Sequence, residues 1–239
     1  MRLKFLLFIL ASMAFGAAAA AQDEDRPFAV EEVTDAAPVL VSTATPAADP
    51  ENTLLLDLST GGRVAIRLRP DAAPRHVERI KTLVRQGFYN GLVFHRVIDG
   101  FMAQTGDPTA TGEGESSLPD LEAEFNRLPH VRGTVSMART TDPNSANSQF
   151  FIMFMPNLNL DENYSAFGRV ISGMQLVDAI PRGEPPANPA RIIRASIQAD
   201  NVPPPTAAEI AAASRPATQT GSAALEAALA AEGLSSTPQ

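Results

Sequence analysis

The stretch Phe94-His95-Arg96-Val97-Ile98-Asp99-Gly100-Phe101-Met102-Ala103-Gln104 gathers a permanent cation, aromatic and thioether side chains and one amide within eleven residues. It holds no nucleophile paired with a base, the arrangement that bond cleavage would need. A second amide sits beside aromatics at Ser148-Gln149-Phe150-Phe151-Ile152. Two such segments brought together would make an apolar pocket with a guanidinium at its edge. That chemistry suits gripping and twisting a peptide group better than breaking one. A plainer reading stays open at this point: Arg96 could pair with a surface carboxylate while Phe101 and Met102 simply fill a core.

Other chemistries find less support. The chain has no G-x-S-x-G, and His76, His95 and His130 show no evident serine and acid arrangement. It has no cysteine and no H-E-x-x-H, and His95 beside Arg96 would be a poor metal ligand, so no metal or cofactor is expected. Thr111-Gly112-Glu113-Gly114-Glu115 lacks a lysine and carries acids, which reads as a mobile loop and not a phosphate cradle.

The elements that must position these residues are legible from periodicity. Runs at 53–57 and 63–68 flank Gly61-Gly62, a hairpin signal. Pro74 suits the first turn of a helix with apolar Val77, Ile80, Val84 and Phe88, and Gly87 suits its end. Strand-like runs follow at 92–97, 101–104, 133–137, 149–153, 166–170 and 192–197, with a second short helix at 174–180. Many strands and two helices predict a mainly β fold, a closed barrel capped by helices.

The 239 residues allow one sizeable domain with tails. Arg2 and Lys4, an apolar run over 5–15 and small residues at 17–21 resemble a secretory signal, so residues 1–21 are expected to be removed before Gln22. That run is shorter than the ~20 residues of a membrane span, and no stable membrane insertion is expected after cleavage. Residues 22–51 read as an acidic Ala/Pro-rich linker, 52–199 as the folded domain and 200–239 as a Pro/Ala-rich disordered tail. Within that tail Pro203-Pro204-Pro205 breaks the chain and 224–231 has some helical propensity. Eight acids face only Arg26 in the linker and four face only Arg215 in the tail, which leaves 15 acids and 15 bases in 52–199. The net charge of −8 therefore belongs to the extensions, and a neutral domain argues against a nucleic-acid surface. Without cysteine, stability must come from an ordinary core.

Phe94-His95-Arg96-Val97-Ile98 with Gly100-Phe101-Met102-Ala103-Gln104-Thr105-Gly106-Asp107 resembles the signature of the cyclophilin-type peptidyl-prolyl isomerases. So do Gly133-Thr134-Val135-Ser136-Met137-Ala138-Arg139, Asn144-Ser145-Ala146-Asn147-Ser148-Gln149-Phe150-Phe151-Ile152 and Phe167-Gly168-Arg169-Val170. The resemblance covers about residues 52–199. It implies a closed eight-stranded antiparallel β-barrel capped by two α-helices, and isomerase activity on X–Pro bonds. Carried over by position, it implies Arg96, Phe101 and Gln104 as catalytic. Met102, Ala138, Arg139, Gln149, Phe151, Asn159, Leu160 and Tyr164 become substrate-binding.

The implied partners are proline-containing peptides and unfolded protein clients, met by a monomer. With the export signal, the implied location is the periplasm in a Gram-negative cell, or secretion otherwise. A proline-peptide-binding chaperone with weak or no turnover is the alternative. Asn159 stands where many members carry Trp, Tyr164 where they carry His, and Arg139 where they carry Asn; the tyrosine and the Arg139-Thr140 step look like the bacterial branch. Without the indole, the resemblance implies a shallower pocket and weak binding of cyclosporin.

Overall fold

A computed structural model describes residues 49–215. The expected signal segment, most of the acidic linker and the run at 224–231 lie outside the described residues.

The first hairpin forms as its glycines predict. Strand β1 (Thr53–Leu58) returns as β2 (Gly62–Leu68), with Gly61 at φ +120°, a left-handed conformation that a side chain would strain. Helix α1 (Pro74–Arg85) follows, with Pro74 at its first position and Val77, Ile80, Leu83 and Val84 buried. It stops before Gly87 and Phe88, as a glycine at φ +72° would have it. Five further strands come next: β3 (Arg96–Ile98), β4 (Met102–Thr105), β5 (Thr134–Met137), β6 (Phe150–Met153) and β7 (Ala166–Ser172). Helix α2 (Met174–Asp178), strand β8 (Ile192–Ile197) and helix α3 (Ala207–Ala213) complete the described chain. No helix of the described residues is long and apolar enough to cross a membrane.

The eight strands form one antiparallel sheet in the order β3-β4-β6-β5-β7-β2-β1-β8. It curls as a barrel would, but the seam between β3 and β8 is not a ladder. A single bridge, Val93 to Arg191, joins the segments leading into those strands, with Phe94 N–H donating to Ala190 O at 2.9 Å and Ile192 N–H to Leu92 O at 2.8 Å. The expected strand at 92–97 is thus largely an irregular seam, and the barrel is more open than predicted.

A second difference lies beyond β8. Residues 200–239 read as a disordered tail, yet 207–213 are helical. Thr206 and Glu209 close a capping box on α3, and the strap before it is clamped by Arg63 and Arg194, which donate to the carbonyls of Val202 and Pro203 at 2.8–3.1 Å. Buried Asp57 holds both arginines, Arg63 at 2.7 Å and Arg194 at 3.5 Å. Tertiary partners order this strap where its composition alone would not.

Strand periodicity divides the apolar residues between two clusters. Phe150 and Ile152 of β6, Ala103 of β4 and Val97 of β3 point into the main core with Leu54, Leu56 and Ile66. Their neighbours Phe151, Met153 and Met102 point outward and form a small cluster of their own. Adjacent phenylalanines therefore do different jobs: Phe150 fills the barrel, and Phe151 is left for a surface site.

Candidate active site

Strand register assembles the site. Arg96 lies opposite Gln104, Gln104 opposite Phe151, and Phe151 opposite Ser136, one row across four strands. Residues opposite one another share a face, so the guanidinium, the amide and the aromatic ring emerge together. Met102 shares that face of β4 with Gln104.

A cavity of about 260 Å³ opens over this row. Phe101, Met102, Phe151 and Leu160 line its apolar side, Arg96 and Gln104 one rim, and Ala138, Arg139 and Tyr164 the other. Gly112, from the loop expected to be mobile, completes the lining. That loop is anchored by Asp107, whose carboxylate accepts from Thr109 N–H (2.6 Å) and Thr109 Oγ1 (2.7 Å) and from Gly112 N–H. Burial alone would raise the pKa of Asp107, but these bonds prevail and hold it at about 2.

The amides of the site are oriented by a directed relay. Gln149 Nε2 donates to the carbonyls of Gly112 and Gly114, both at 2.9 Å. Its Oε1 is left to accept from Gln104 Nε2 at 2.8 Å, so Gln104 Oε1 is left to accept from Arg96 Nη1 at 3.4 Å. Arg96 also donates through Nε to Glu184 Oε2 at 2.7 Å. The plainer sequence reading, an arginine paired with a carboxylate, is therefore correct as well, and it coexists with the pocket.

Gln149 lines a second cavity of about 240 Å³, which shares Gln104, Gly112, Ala138 and Arg139 with the first. Arg139 forms the wall between, its guanidinium 4.5 Å from the Tyr164 ring centroid and bonded to Asn163 O at 3.0 Å. Asn159 is not brought to either cavity. It lies exposed on the 3-10 turn Leu158–Leu160, and Leu160 alone of that turn reaches the pocket. A larger hollow of about 390 Å³, between the β1–β2 turn and the end of α3, contains none of these residues.

One part of the site was invisible in the sequence. Asp161 Oδ1 accepts from His130 Nδ1 at 2.8 Å, and His130 Nε2 accepts from Ser136 Oγ at 3.1 Å. The distances resemble those of a hydrolytic triad, but His130 and Ser136 are wholly buried, so no substrate can reach the hydroxyl. Burial holds the His130 pKa below its ordinary value despite Asp161, so the ring is neutral near pH 7. Its work is mechanical. His130 stacks on Phe151 at 6.3 Å, and its backbone takes Asn157 N–H at 2.8 Å and gives its own N–H to Asp161 at 2.8 Å. One residue thus supports the pocket floor with its ring and ties down the turn bearing Leu160 with its backbone and Nδ1. Six residues separate His130 from Ser136 and thirty-one separate it from Asp161, and no local motif spans such distances.

Comparison with known proteins places this geometry. The family model described as cyclophilin type peptidyl-prolyl cis-trans isomerase/CLD matches residues 55–197. A probable peptidyl-prolyl cis-trans isomerase of Brucella suis is 53% identical over 176 residues, covering 67% of this chain and 89% of its own. Peptidyl-prolyl cis-trans isomerase A of Dickeya dadantii is 39% identical over 135 residues, covering 54% and 71%. Among solved structures, cyclophilin AquaCyp293 from Hirschia baltica superposes with TM-score 0.60 at 33% identity, covering 65% of this chain and 77% of that one. A Cryptosporidium parvum cyclophilin type isomerase, crystallised in the presence of the dipeptide Ala-Pro, gives 0.57 at 28% identity, covering 61% and 98%. With an antiparallel eight-stranded fold, an arginine-rimmed apolar cavity and a family match over most of the described residues, the chain belongs to the cyclophilin-type peptidyl-prolyl cis-trans isomerases.

Proposed function

We propose that this enzyme accelerates X–Pro rotation in exported or unfolded polypeptides, with Arg96 acting on the prolyl nitrogen. Amide resonance sets a barrier of ~18–20 kcal/mol to rotation. Catalysis requires that the twisted amide be bound better than either planar isomer. In the twisted state the nitrogen becomes pyramidal and regains a lone pair. The observation that carries the reading is Arg96 at the rim of a cavity floored by Phe101, Met102, Phe151 and Leu160. The pyrrolidine ring sits on that floor and the acyl side turns above it. A guanidinium N–H then donates to the nitrogen, with no proton transferred and no covalent intermediate. Arginine suits the task because it stays protonated at every relevant pH.

Gln104 grips the neighbouring peptide group. The adjoining cavity, with Gln149, takes a residue before the proline. The basic and apolar segments at the start of the chain, Arg2, Lys4 and the run over 5–15, support newly exported proteins as clients. Prolyl isomerisation is a slow step in their folding.

The test is Arg96→Ala, assayed by exchange NMR on an X–Pro peptide. A bond to a charged donor contributes about 1.5–3 kcal/mol, so the rate should fall by at least about tenfold with the fold intact. A folded variant with near wild-type exchange would refute the role of Arg96. A wild-type protein that shifts peptide signals without speeding exchange would instead be a proline-binding chaperone.

A further inference from the structure

Strand β3 lies at the edge of the sheet, and among the described residues its free side is met at one point. Val97 N–H donates to Gly183 O at 2.8 Å, and Gly183 N–H donates to Val97 O at 2.9 Å. In an antiparallel pair the residue before one partner lies opposite the residue after the other. That register sets Arg96 opposite Glu184, and the two side chains meet at 2.7 Å. The loop has little freedom to do otherwise. Gly183 has φ +145°, and a Cβ there would stand 2.6 Å from Pro186 Cα and 2.9 Å from the Pro185 carbonyl.

We propose that Glu184 is the positioning residue for Arg96, holding the guanidinium plane toward the cavity before substrate arrives. The inference rests on the catalytic reading of Arg96. The pair is half exposed, and such pairs add little to stability. Its importance is geometric. A guanidinium carries its N–H donors in one rigid plane, so an anchor at Nε and a second at Nη1, to Gln104, define that plane and leave the remaining N–H groups for the prolyl nitrogen. Without the carboxylate the flexible side chain must be ordered during the reaction itself. Glu184 does not line the cavity, so it acts through Arg96 and not on the peptide.

The experiment is exchange NMR with an uncharged X–Pro tetrapeptide, giving kcat and KM for wild type, Glu184→Gln, Arg96→Ala and the double variant. Melting temperature is measured for each, with the Arg96 Nε–H resonance recorded where arginine remains. Glu184→Gln should lower kcat by on the order of three- to tenfold, less than the hundredfold that a misplacement of about 1 Å can cost. KM and melting temperature should hold, the Nε–H signal should lose its hydrogen-bonded shift, and the double variant should be no slower than Arg96→Ala. A wild-type or raised kcat in Glu184→Gln overturns the proposal. So does a loss confined to KM, which would make Glu184 a substrate contact. If Arg96→Ala itself keeps the wild-type rate, the catalytic reading of Arg96 has failed instead.

Discussion

Arg96→Lys separates the charge of the cation at the cavity rim from its shape. Arginine serves several partners at once: Nε reaches Glu184 at 2.7 Å, Nη1 reaches Gln104 at 3.4 Å, and the rest of the fork stays at the cavity rim. Lysine ends in one nitrogen and cannot occupy those corners together. The carboxylate of Glu184 is the strongest acceptor nearby and should capture the ammonium, leaving no donor for the prolyl nitrogen. The lost interaction is one hydrogen bond to a charged donor, about 1.5–3 kcal/mol, which converts to roughly 10- to 150-fold in rate. We therefore expect Arg96→Lys to lose at least about tenfold in exchange rate although its charge is kept. Because Arg96 is well exposed, stability should change by no more than about 0.5 kcal/mol. Exchange NMR on an X–Pro peptide, with thermal melting as the control, gives both quantities. A lysine variant within about threefold of wild type would show that a positive charge near the cavity is enough and that the fork geometry is irrelevant.

Three further outcomes concern stability, global or local. Helix α1 begins after Ala73, which cannot cap it, and Glu124 does so from afar: its carboxylate takes the N–H groups of Arg75 and His76, both at 3.1 Å, and His76 Nδ1 at 2.6 Å. Glu124→Gln should cost about 1–3 kcal/mol, since it weakens a helix cap and a bond to a fully buried ring. Thermal melting measures that loss, and an unchanged melting temperature would count against the cap. Acid should destabilise the wild type in two stages. Burial holds the pKa values of His76, His95 and His130 below their ordinary value near 6.5, so the unfolded chain binds more protons and stability falls as pH drops below about 6.5. Burial would raise the Glu124 pKa, but the bonds from His76 and Arg75 hold it down, so stability present above the ordinary carboxylate range is lost as pH falls through the lowered value. Melting temperatures that stay level from pH 7.5 to 5 would contradict the histidine stage. Asp57→Asn should loosen the strap before α3, because Arg63 and Arg194 then share no buried anion. Faster amide exchange over residues 201–213 is the expected sign, and unchanged exchange there would refute the clamp.

Much of the site was legible because a strand has a short, strict period. The alternation in Met102 to Gln104 and Gln149 to Phe151 separates inward from outward side chains, and each segment carries its chemistry within a few residues. Asn159 was misplaced for a complementary reason. It lies on a 3-10 turn, where a neighbour of Leu160 points elsewhere and no two-residue rule applies. The loop at 111–115 looked mobile because its glycines and acids lack local partners, and its order comes from Asp107 and Gln149. Helix α3 was missed in the same way: its composition reads as a tail, while the arginines that clamp the strap before it come from β2 and β8.

The sequence by itself determined the family and the mainly antiparallel architecture and pointed to Arg96, which lies at the cavity rim, since these rest on local pattern and contiguous motifs. Only the tertiary structure decided how that arginine is held. Glu184 is eighty-eight residues away in sequence and is brought opposite it by one backbone bridge; His130 meets Asp161 and Ser136 in direct hydrogen bonds between separate elements. Register between distant segments is set by how the whole sheet curls and packs, and no stretch of chain carries that information alone.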